Sequence, residues 1–409
     1  MRICFVTTEY VTEEQNYDGG LSNYLSRICL ALQRKGHEPV VVVASKSNRR
    51  FRHNDVEINR VKALCYSKRL MKILQLLPGL DWRFVSWQLN RRVKRLHGER
   101  PFDIVQYASV GAIILSRHKD VPSVVRISGN QKLWDIAYEE TPSRKKLAYQ
   151  NLEIAGLTRA DSLYGPSRVI ADYLKENHYF DVKIVESPFV QECSSFSTEV
   201  YGKIRSQVTG EYLLFFGSLG LAKGVKTIAD MVHNLLEKYP NLTMVFVGKD
   251  MGYNGQPIMN YVFAKAGEHA GRVVWHDRVK HEQLYPIIQG AKLVLLPSRI
   301  DNFPNCCVEA MAFKKVVIGT KGASFEQLID DNVSGFLSVP DDPQGLLAVV
   351  TKALNMPEEE LEKIGEQASD RVMKLSPEKI VEQLLSYYKD VIAQKLSATA
   401  IRLDGVKEG

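Results

Sequence analysis

Short apolar runs alternate with amphipathic helical stretches along the chain, and this alternation limits the possible folds more than any other feature. Runs such as "RICFVTT" and "PVVVVAS" are almost continuously apolar, as are strands that are buried on both faces of a sheet. A helical stretch from about Leu21 to Arg34 lies between these two runs and ends at Lys35-Gly36. Strands that alternate with helices in this way form parallel sheets with both faces covered. The sequence therefore predicts an α/β protein.

The apolar runs fall into two series separated by a polar stretch. The first series ends at "VKIVES" and the second begins at "YLLFFGSLG", whereas "QECSSFSTEVYGK" between them has no clear period. A chain of 409 residues is longer than one hydrophobic core usually serves. We predict two doubly wound, Rossmann-like domains at residues 1–189 and 205–376, with a last helix at 377–395 that packs back on the first domain.

Composition excludes several classes of protein. Apolar residues make up 45% of the chain and charged residues 25%, as in ordinary folded proteins. The six cysteines show no C-x-x-C pair and no zinc-site spacing, and several lie inside apolar runs. No apolar run approaches the roughly 20 residues that a membrane span requires, and no signal-peptide pattern follows Met1. These features predict a cytoplasmic protein.

Positive charge is concentrated in one segment. Residues 46–100 hold fifteen Lys and Arg against four acids, while the net charge of the whole chain is +7. Within 64–96, apolar and aromatic residues are interleaved with cations that include Arg91, Arg92, Lys94 and Arg95. The segment is either a solvated helix face over a normal core or an interfacial helix on an anionic membrane. Nucleic acid is not predicted as a partner, because no recognition module accompanies the charge.

Two strand-to-helix loops carry glycines that suit a bound anion. Gly19-Gly20 opens the helix after the first strand, and paired glycines at a helix N-terminus let backbone N–H groups approach a phosphate. In "FFGSLGLAKGVKTI", Lys223 stands at the start of the next helix and can hold a diphosphate. The alternatives are a plain turn and a lysine that faces solvent. Neither a dinucleotide fingerprint nor a Walker loop is present.

The segment "PSRIDNFPNCCVEAMAFKKVV" places two acids after a buried strand. Asp301 lies in the loop and Glu309 in the helix that follows, so both carboxylates can face the space beyond the strand. Carboxylate oxygens accept hydrogen bonds and therefore bind hydroxyl pairs well. Alternatively, Asp301 caps the helix and Glu309 interacts with its dipole, each contributing about 1 kcal/mol.

This segment resembles the signature of the family 4 (group 1) retaining glycosyltransferases of the GT-B fold, P-S-x-x-E-x-F-G-x-x-x-x-E-A-M-A-x-G-x-P-V. The stretch "DGGLSNYLSRICLALQRKGHEPVVV" is similar to the start of that family, and "FFGSLGLAKGVKTI" to its G-R-L-x-x-x-K-G. The resemblance extends over most of the chain. It implies two domains facing a central cleft.

The resemblance also implies roles for individual residues. Glu309 would bind the ribose hydroxyls of a nucleotide-sugar, Lys223 would neutralise the leaving diphosphate, and Asp301 would hold the transferred sugar. Asp301 and Lys223 would be the catalytic residues. The full donor-binding set would be Gly19, Gly20, Gly217, Ser218, Lys223, Asp301, Asn302, Phe303, Pro304, Asn305 and Glu309.

The sequence departs from the family pattern at several positions. Ser218 stands where the family usually has an Arg that binds the diphosphate, and Asp301 is one methylene shorter than the usual Glu. Ser128 stands where many members have a His near the sugar, so Arg126 or Asn130 is expected to supply that contact. Lys314-Lys315 replaces a Cys-Gly or Phe-Gly pair.

The function that follows is transfer of a sugar from a nucleotide-sugar, with UDP-sugar favoured, to a glycan or lipid-linked glycan of cell-surface polysaccharide biosynthesis. The anomeric configuration would be retained, and neither a cofactor nor a metal is expected, since the chain has no D-x-D triplet. Two alternatives stay open: a sugar-nucleotide 2-epimerase, and a non-catalytic homologue that only binds sugar-nucleotide. The location expected is the cytoplasm, with peripheral attachment to the membrane.

Overall fold

The computed structural model describes residues 1–11, 20–63, 79–191, 193 and 195–407. The chain divides into two compact units. The first unit comprises residues 1–135, 141–188 and 377–409, and the second comprises residues 136–140 and 189–376. Compared with the domains expected from sequence, the stretch at 189–204 belongs to the second unit, and so does the short segment at 136–140.

The first unit is built on an eight-stranded sheet. Its strands, in chain order, are β1 (Arg2–Thr7), β2 (Glu38–Ser45), β3 (Arg49–His53), β4 (Val56–Lys62), β5 (Ile104–Ala108), β6 (Ser123–Arg126), β7 (Ser162–Gly165) and β8 (Val182–Ile184). They lie in the order β3-β4-β2-β1-β5-β6-β7-β8. Only β3 is antiparallel, to its neighbour β4, and all the other pairs are parallel. Every residue of β1 is buried, which explains the apolar run from Ile3 to Val6.

Six described helices belong to the first unit, except that the last two residues of the third, Ile136 and Ala137, fall in the second unit. They are α1 (Gly20–Arg34), α2 (Leu80–Glu99), α3 (Gln131–Ala137), α4 (Arg144–Leu157), α5 (Arg168–His178) and, at the end of the chain, α13 (Pro377–Lys407). Serine side chains cap two of them: Ser143 accepts the N–H of Lys146 at 3.3 Å, and Ser167 accepts the N–H of Ile170 at 3.2 Å.

A buried hydrogen-bond network joins α13 to the sheet of the first unit. The hydroxyls of Tyr388 on α13 and Tyr164 on β7 both donate to the amide oxygen of Gln106 on β5. Lys35 just after α1 pairs with Glu382 on α13 at 2.6 Å. Buried polar groups that satisfy one another specify a single packing arrangement. The last helix is therefore part of the first unit, although all the residues of the second unit, 136–140 and 189–376, precede it in the chain.

The second unit is built on a six-stranded sheet with every pair parallel. Its strands are β9 (Glu211–Phe216), β10 (Leu242–Val247), β11 (Val273–His276), β12 (Leu293–Leu295), β13 (Val317–Thr320) and β14 (Phe336–Ser338). They lie in the order β11-β10-β9-β12-β13-β14. The chain therefore starts in the middle of the sheet, proceeds to one edge, and then returns to fill the other half. This is the doubly wound order of the Rossmann fold.

The helices of the second unit are α6 (Glu199–Arg205), α7 (Val225–Lys238), α8 (Ile258–Ala266), α9 (His281–Gly290), α10 (Asn305–Ala312), α11 (Pro343–Leu354) and α12 (Glu358–Met373). The predicted fold class, two doubly wound parallel sheets with helical crossovers, is confirmed. Across the described residues, no helix combines the length and the hydropathy that a membrane-spanning segment needs.

A glycine fixes the start of α7. Gly224 has φ +72°, and a Cβ at this position would lie 1.8 Å from the carbonyl oxygen of Pro297 in the loop after β12. Only glycine allows this close approach between the two loops. Gly255 provides a matched comparison, because its φ is +79° but no atom lies within 4 Å of the position of a Cβ.

We predict that Gly224→Ala lowers the melting temperature of the second unit by about 10 °C more than Gly255→Ala. Both variants carry the cost of a left-handed alanine, but only the first adds an overlap between backbone atoms, which costs about 3 kcal/mol. Differential scanning calorimetry measures the difference. Equal melting temperatures for the two variants would contradict the close approach of the two loops.

Candidate active site

Two loops of the second unit meet where its strand order reverses. Strands β9 and β12 are neighbours in the sheet, and their crossovers leave it in opposite directions, so a crevice opens beyond their carboxyl ends. Lys223 lies in the loop after β9 and Asp301 in the loop after β12. Lys223 Nζ lies 2.5 Å from Asp301 Oδ2, and the N–H of Arg299 donates to the carbonyl of Ala222 at 2.9 Å. The fold thus brings together two residues that are 78 positions apart.

The Lys223 ammonium is held in its charged form. Burial acts to lower the pKa of Lys223, but the adjacent Asp301 carboxylate outweighs this effect and the pKa is raised. Asp301 is itself fixed through its backbone, since Ser324 Oγ donates to the Asp301 carbonyl at 2.8 Å. The side chains of Lys223 and Asp301 are 25% and 15% exposed, so both remain accessible. A positively charged hydrogen-bond donor is therefore in place before any ligand binds.

Capping of α10 does not explain the two acids. Residue Pro304 occupies the N-cap of α10, where no side chain caps the helix, and the carboxylate of Asp301 pairs with Lys223 instead. Glu309 is the fifth residue of α10, beyond the first turn in which an acid interacts best with the dipole. The capping alternative for the two carboxylates is wrong for this structure.

Glu309 has a partner that the sequence did not reveal. Its carboxylate is largely buried, and Oε1 lies 3.4 Å from Nε2 of His281, the first residue of α9. The imidazole of His281 therefore lies next to this carboxylate. No sequence pattern singled out His281 in "VKHEQL", because its position next to Glu309 depends on where the first residue of α9 lies in the folded unit.

The turn between Asp301 and α10 offers one unused acceptor. Within the part of the chain that the structure describes, the buried Oδ1 of Asn302 has no hydrogen-bond partner. Phe303 and Pro304 are buried and Asn305 is exposed at the start of α10. A buried amide oxygen without a donor costs free energy unless a ligand supplies one. Asn302 is therefore suited to accept a hydrogen bond from a ligand hydroxyl.

The glycine loop after β9 is arranged differently from a phosphate-binding turn. The Gly217 N–H donates to the Val247 carbonyl at 3.0 Å and so continues the pairing of β9 with β10. Ser218 is exposed, and its short side chain stands where the family pattern usually has an Arg. Lys223 is thus the cation that this loop supplies to the crevice.

A short segment from the first half of the sequence completes this region. Residues 136–140 belong to the second unit, where Arg299 Nη1 lies 2.7 Å from Glu139 Oε1 and donates to the Ala137 carbonyl at 3.2 Å. Tyr138 lies close enough to Lys223 to favour its charged form. Sequence analysis did not predict this segment as part of the site, since it lies more than 80 residues before Lys223.

The predicted residues of the first unit lie at several places. Gly20 is the exposed first residue of α1, and Gly19 lies outside the described residues. Arg126, at the end of β6, is buried with its guanidinium 3.6 Å from the centre of the Tyr24 ring, and its Nη2 donates to Ser187 Oγ at 3.0 Å. Arg126 thus contacts groups of its own unit, while its buried Nε has no hydrogen-bond partner among the described residues.

Ser128 and Asn130 line a cavity of about 330 Å³ beyond the carboxyl ends of β5 and β6. Trp82, Tyr149 and Glu153 also line this cavity, and sequence analysis identified none of them. They come from α2 and α4, and no single stretch of sequence carries a pattern that joins them.

Family models match both halves of the chain. A model described as glycosyl transferase 4-like domain matches residues 19–188, and one described as glycosyl transferases group 1 matches residues 198–371. The chain belongs to the family 4 (group 1) glycosyltransferases. The second match includes Lys223, Asp301, Glu309 and His281, so the crevice lies in the part that defines group 1.

The individual proteins that resemble this glycosyltransferase share less than a quarter of its aligned residues. An uncharacterized glycosyltransferase of Methanocaldococcus jannaschii is 22% identical over 330 residues, which are 78% of this chain and 83% of that protein. Lipopolysaccharide 1,2-N-acetylglucosaminetransferase of Salmonella typhimurium is 23% identical over 281 residues, which are 66% of this chain and 73% of that protein.

Solved structures share the fold. Sucrose-phosphate synthase from Thermosynechococcus elongatus superposes with a TM-score of 0.75 and 16% identity, covering 96% of this chain and 100% of that one. HepE of Anabaena, solved with UDP and glucose, superposes with a TM-score of 0.67 and 16% identity, covering 95% and 100%. The GT-B fold of this glycosyltransferase is therefore confirmed, and at these identities the likeness extends to the fold alone.

We predict that Lys223 and Asp301 stabilise the glycosyltransferase cooperatively. In a double-mutant cycle with Lys223→Met and Asp301→Asn, the coupling energy should be about 1 to 3 kcal/mol, because removing one partner leaves the other charge partly buried and unpaired. The control pair is Glu199 and Lys203, which lie 2.7 Å apart in α6 with side chains 68% and 63% exposed.

The control pair should couple by less than about 0.5 kcal/mol, because water screens exposed ion pairs. Thermal unfolding of the second unit gives both values. A coupling for Lys223 and Asp301 no larger than that of the control pair would show that the ion pair is not held by the fold.

Proposed function

We propose that the protein transfers a sugar from a nucleotide-sugar, preferably a UDP-sugar, to a glycan or lipid-linked glycan, with retention of the anomeric configuration. The observation that carries the proposal is the Lys223 and Asp301 pair at the strand-order reversal, with Glu309 in the helix that follows. Membership of the family supports transfer of a glycosyl group. The UDP and glucose bound to HepE, which has the same fold, support UDP as the carrier.

The crevice of the second unit would bind the donor. Glu309, next to His281, would accept hydrogen bonds from the ribose hydroxyls. Asp301 and the unpartnered Asn302 Oδ1 would accept hydrogen bonds from the hydroxyls of the transferred sugar. Lys223 would donate to the diphosphate. Its raised pKa keeps the ammonium charged over the physiological pH range, so no proton must be acquired before the charge is used.

Catalysis would depend on charge stabilisation at the leaving group. As the bond between the anomeric carbon and the phosphate oxygen breaks, negative charge grows on the diphosphate, and a preorganised cation stabilises it by several kcal/mol. The acceptor oxygen would form its bond on the same face of the sugar, and its proton would pass to the departing diphosphate. No protein base is required in this scheme, and we propose that no divalent metal is required.

The first unit would take the acceptor and attach to an anionic membrane. One face of α2 is exposed and mixes apolar with basic side chains: Leu80, Arg83, Phe84, Trp87, Arg91, Lys94 and Arg95. The rings of Phe84 and Trp87 lie 5.3 Å apart, and the Arg91 guanidinium lies 5.6 Å from the Trp87 ring. Arg92 is half-buried beside this face. Aromatic residues next to cations suit the interface of a membrane with anionic lipid.

This arrangement favours the interfacial-helix hypothesis over a fully polar, solvated face, since three large apolar side chains of α2 are more than 40% exposed. The earlier half of the basic segment, residues 64–78, lies outside the described residues. An acceptor carried by a lipid would account for such a surface. We accordingly propose that the protein works as a peripheral enzyme on the cytoplasmic face of a membrane, in the synthesis of cell-surface polysaccharide.

We predict that Glu309→Gln weakens UDP binding about tenfold or more, because the ribose loses a charged acceptor worth about 1.5 kcal/mol or more. Asp301→Asn should change UDP binding little and should reduce turnover about a hundredfold, since UDP lacks the sugar that Asp301 holds. Calorimetric titration with UDP and a transfer assay with UDP-sugars in EDTA measure the two effects.

Glu362→Gln, at an exposed position on α12, is the control and should leave both values unchanged. Native UDP binding in a folded Glu309→Gln protein would refute the donor site, and loss of transfer in EDTA that Mg²⁺ restores would refute the metal-free mechanism. Turnover of a UDP-sugar to its epimer without any acceptor would favour the epimerase instead.

We predict that charge reversal at Arg91, Arg92, Lys94 and Arg95 abolishes sedimentation with vesicles that contain anionic lipid, because each basic residue near the surface contributes about 1 kcal/mol. The control reverses four exposed lysines elsewhere, Lys175, Lys183, Lys238 and Lys374, and so produces the same change in net charge. Binding that is equal in both variants, or equal on neutral vesicles, would refute a membrane surface on α2.

A further inference from the structure

The cavity of the first unit has aromatic walls. Trp82 on α2, Trp134 on α3 and Tyr149 on α4 all line it, beyond the carboxyl ends of β5 and β6. Its volume of about 330 Å³ is enough for a small ligand or for one sugar residue of a larger one. This is also the edge of a parallel sheet at which ligands bind.

Two contacts hold the aromatic walls in place. A Cβ on Gly111 would lie 2.1 Å from the Trp82 ring, so the ring packs directly on the backbone after β5. The Tyr149 hydroxyl donates to Asp81 Oδ2 at 3.0 Å. Because these rings are fixed before a ligand arrives, little entropy is lost when one binds.

Glu153 is the one charged side chain among the described residues that line the cavity. Its Oε2 accepts the N–H of Gln131 at 3.2 Å, and no cation in the described part of the chain lies within ion-pair distance of it. The nearby Asp135 differs, since it pairs with Lys146 at 3.0 Å and accepts from Gln150. Glu153 is therefore a carboxylate without a counter-charge.

A carboxylate in this position carries an electrostatic cost, because burial disfavours its ionised form. Burial raises the pKa of Glu153 to about 7, although the hydrogen bond from Gln131 acts in the opposite direction. The other ionisable groups around the cavity are engaged elsewhere, Tyr149 with Asp81, and Asp135 with Lys146. A positively charged ligand would stabilise the ionised form.

The remaining polar groups favour a ligand with one charged group over a neutral polyol. Ser109 Oγ accepts the N–H of Ser128 at 3.0 Å, and Asn130 Oδ1 accepts the N–H of Leu133 at 3.2 Å. Each of these oxygens already has one of its two acceptor positions filled, which leaves fewer acceptors for the hydroxyls of a neutral sugar. An ammonium group needs only the Glu153 carboxylate and the faces of aromatic rings, which attract cations.

We propose that this cavity binds a positively charged amino group of the acceptor, held between Glu153 and the rings of Trp82, Trp134 and Tyr149. The proposal rests on the proposed function, in which the first unit takes the acceptor, and it defines that acceptor as one that carries a free amine next to an apolar surface or sugar ring.

Three matched probes test the cavity without donor or turnover: methyl 6-amino-6-deoxyglucoside, whose amine stays protonated at neutral pH, its N-acetyl form, and methyl glucoside. Two of the four tryptophans of the chain line the cavity, so tryptophan fluorescence reports binding. The amine should bind about tenfold or more tightly than either neutral probe. Equal affinity for the three probes, or no binding of the amine, would overturn the proposal.

Glu153→Gln should reduce the affinity for the amine to that of the neutral probes and leave UDP binding unchanged. The matched control is Glu176→Gln on the exposed face of α5, which should preserve the preference. A preference for the amine that survives Glu153→Gln would overturn the role of Glu153. UDP binding is measured separately in the unmodified protein. Its absence there would count against the donor site and not against the cavity.

A second measurement uses the unmodified protein. Burial raises the pKa of Glu153 to about 7, so binding of the amine near this pH should shift Glu153 towards its ionised form and release protons. Calorimetry in two buffers of different ionisation enthalpy measures this release. Affinity for the amine should also rise as the pH increases through about 7. An affinity for the amine that stays constant from about pH 5 to pH 8, in a range where the amine itself remains protonated, would contradict a contact with a carboxyl that titrates in this range.

Discussion

Parallel strands must be joined by crossovers, and this constraint determines where chemistry can occur in both units. Every crossover returns the chain to the same end of the sheet, so the loops that follow the strands share one edge. Where the strand order reverses, neighbouring crossovers diverge and leave a crevice. In the second unit the reversal falls between β9 and β12, and it brings Lys223 next to Asp301. In the first unit the strand order reverses between β1 and β5, and the cavity lies beyond β5 and the next strand, β6.

Partly buried charges are paired in the second unit, whereas one carboxyl is left without a counter-charge in the described part of the first. In the second unit, Lys223 and Asp301 form an ion pair, and the raised pKa of Lys223 keeps its ammonium charged without a ligand. A diphosphate can then bind to a cation that is already positioned, and little reorganisation is needed as charge develops. In the first unit, the Glu153 carboxyl has no cation, and burial raises its pKa. Its full ionisation depends on what enters the cavity, so this carboxyl can contribute to selectivity.

Much of the fold could be predicted from the sequence, because a strand buried on both faces of a sheet is apolar throughout. The strands β1, β2, β8 and β9 coincide with the predicted runs "RICFVTT", "PVVVVAS", "VKIVES" and "YLLFFGSLG". The exceptions are β3 and β4, where "RRFRH" and "VEINRVK" are rich in charge. Arg60 is buried on β4 with its guanidinium 5.0 Å from the Phe51 ring on β3, an arrangement that no apolar pattern could show.

The sequence by itself determined the two doubly wound domains, the family, and the positions of Lys223, Asp301 and Glu309, because each depends on a local pattern of a strand, a loop and a helix start. Only the tertiary structure decided which side chains meet. The contacts of Lys223 with Asp301 and of Glu309 with His281 join residues that are far apart in the chain. The cavity around Glu153 likewise depends on side chains from three helices and two loops. Such contacts, and the burial that changes the pKa of a carboxyl, arise only when separate segments pack together, since a local sequence pattern specifies its own element and not the neighbours of that element.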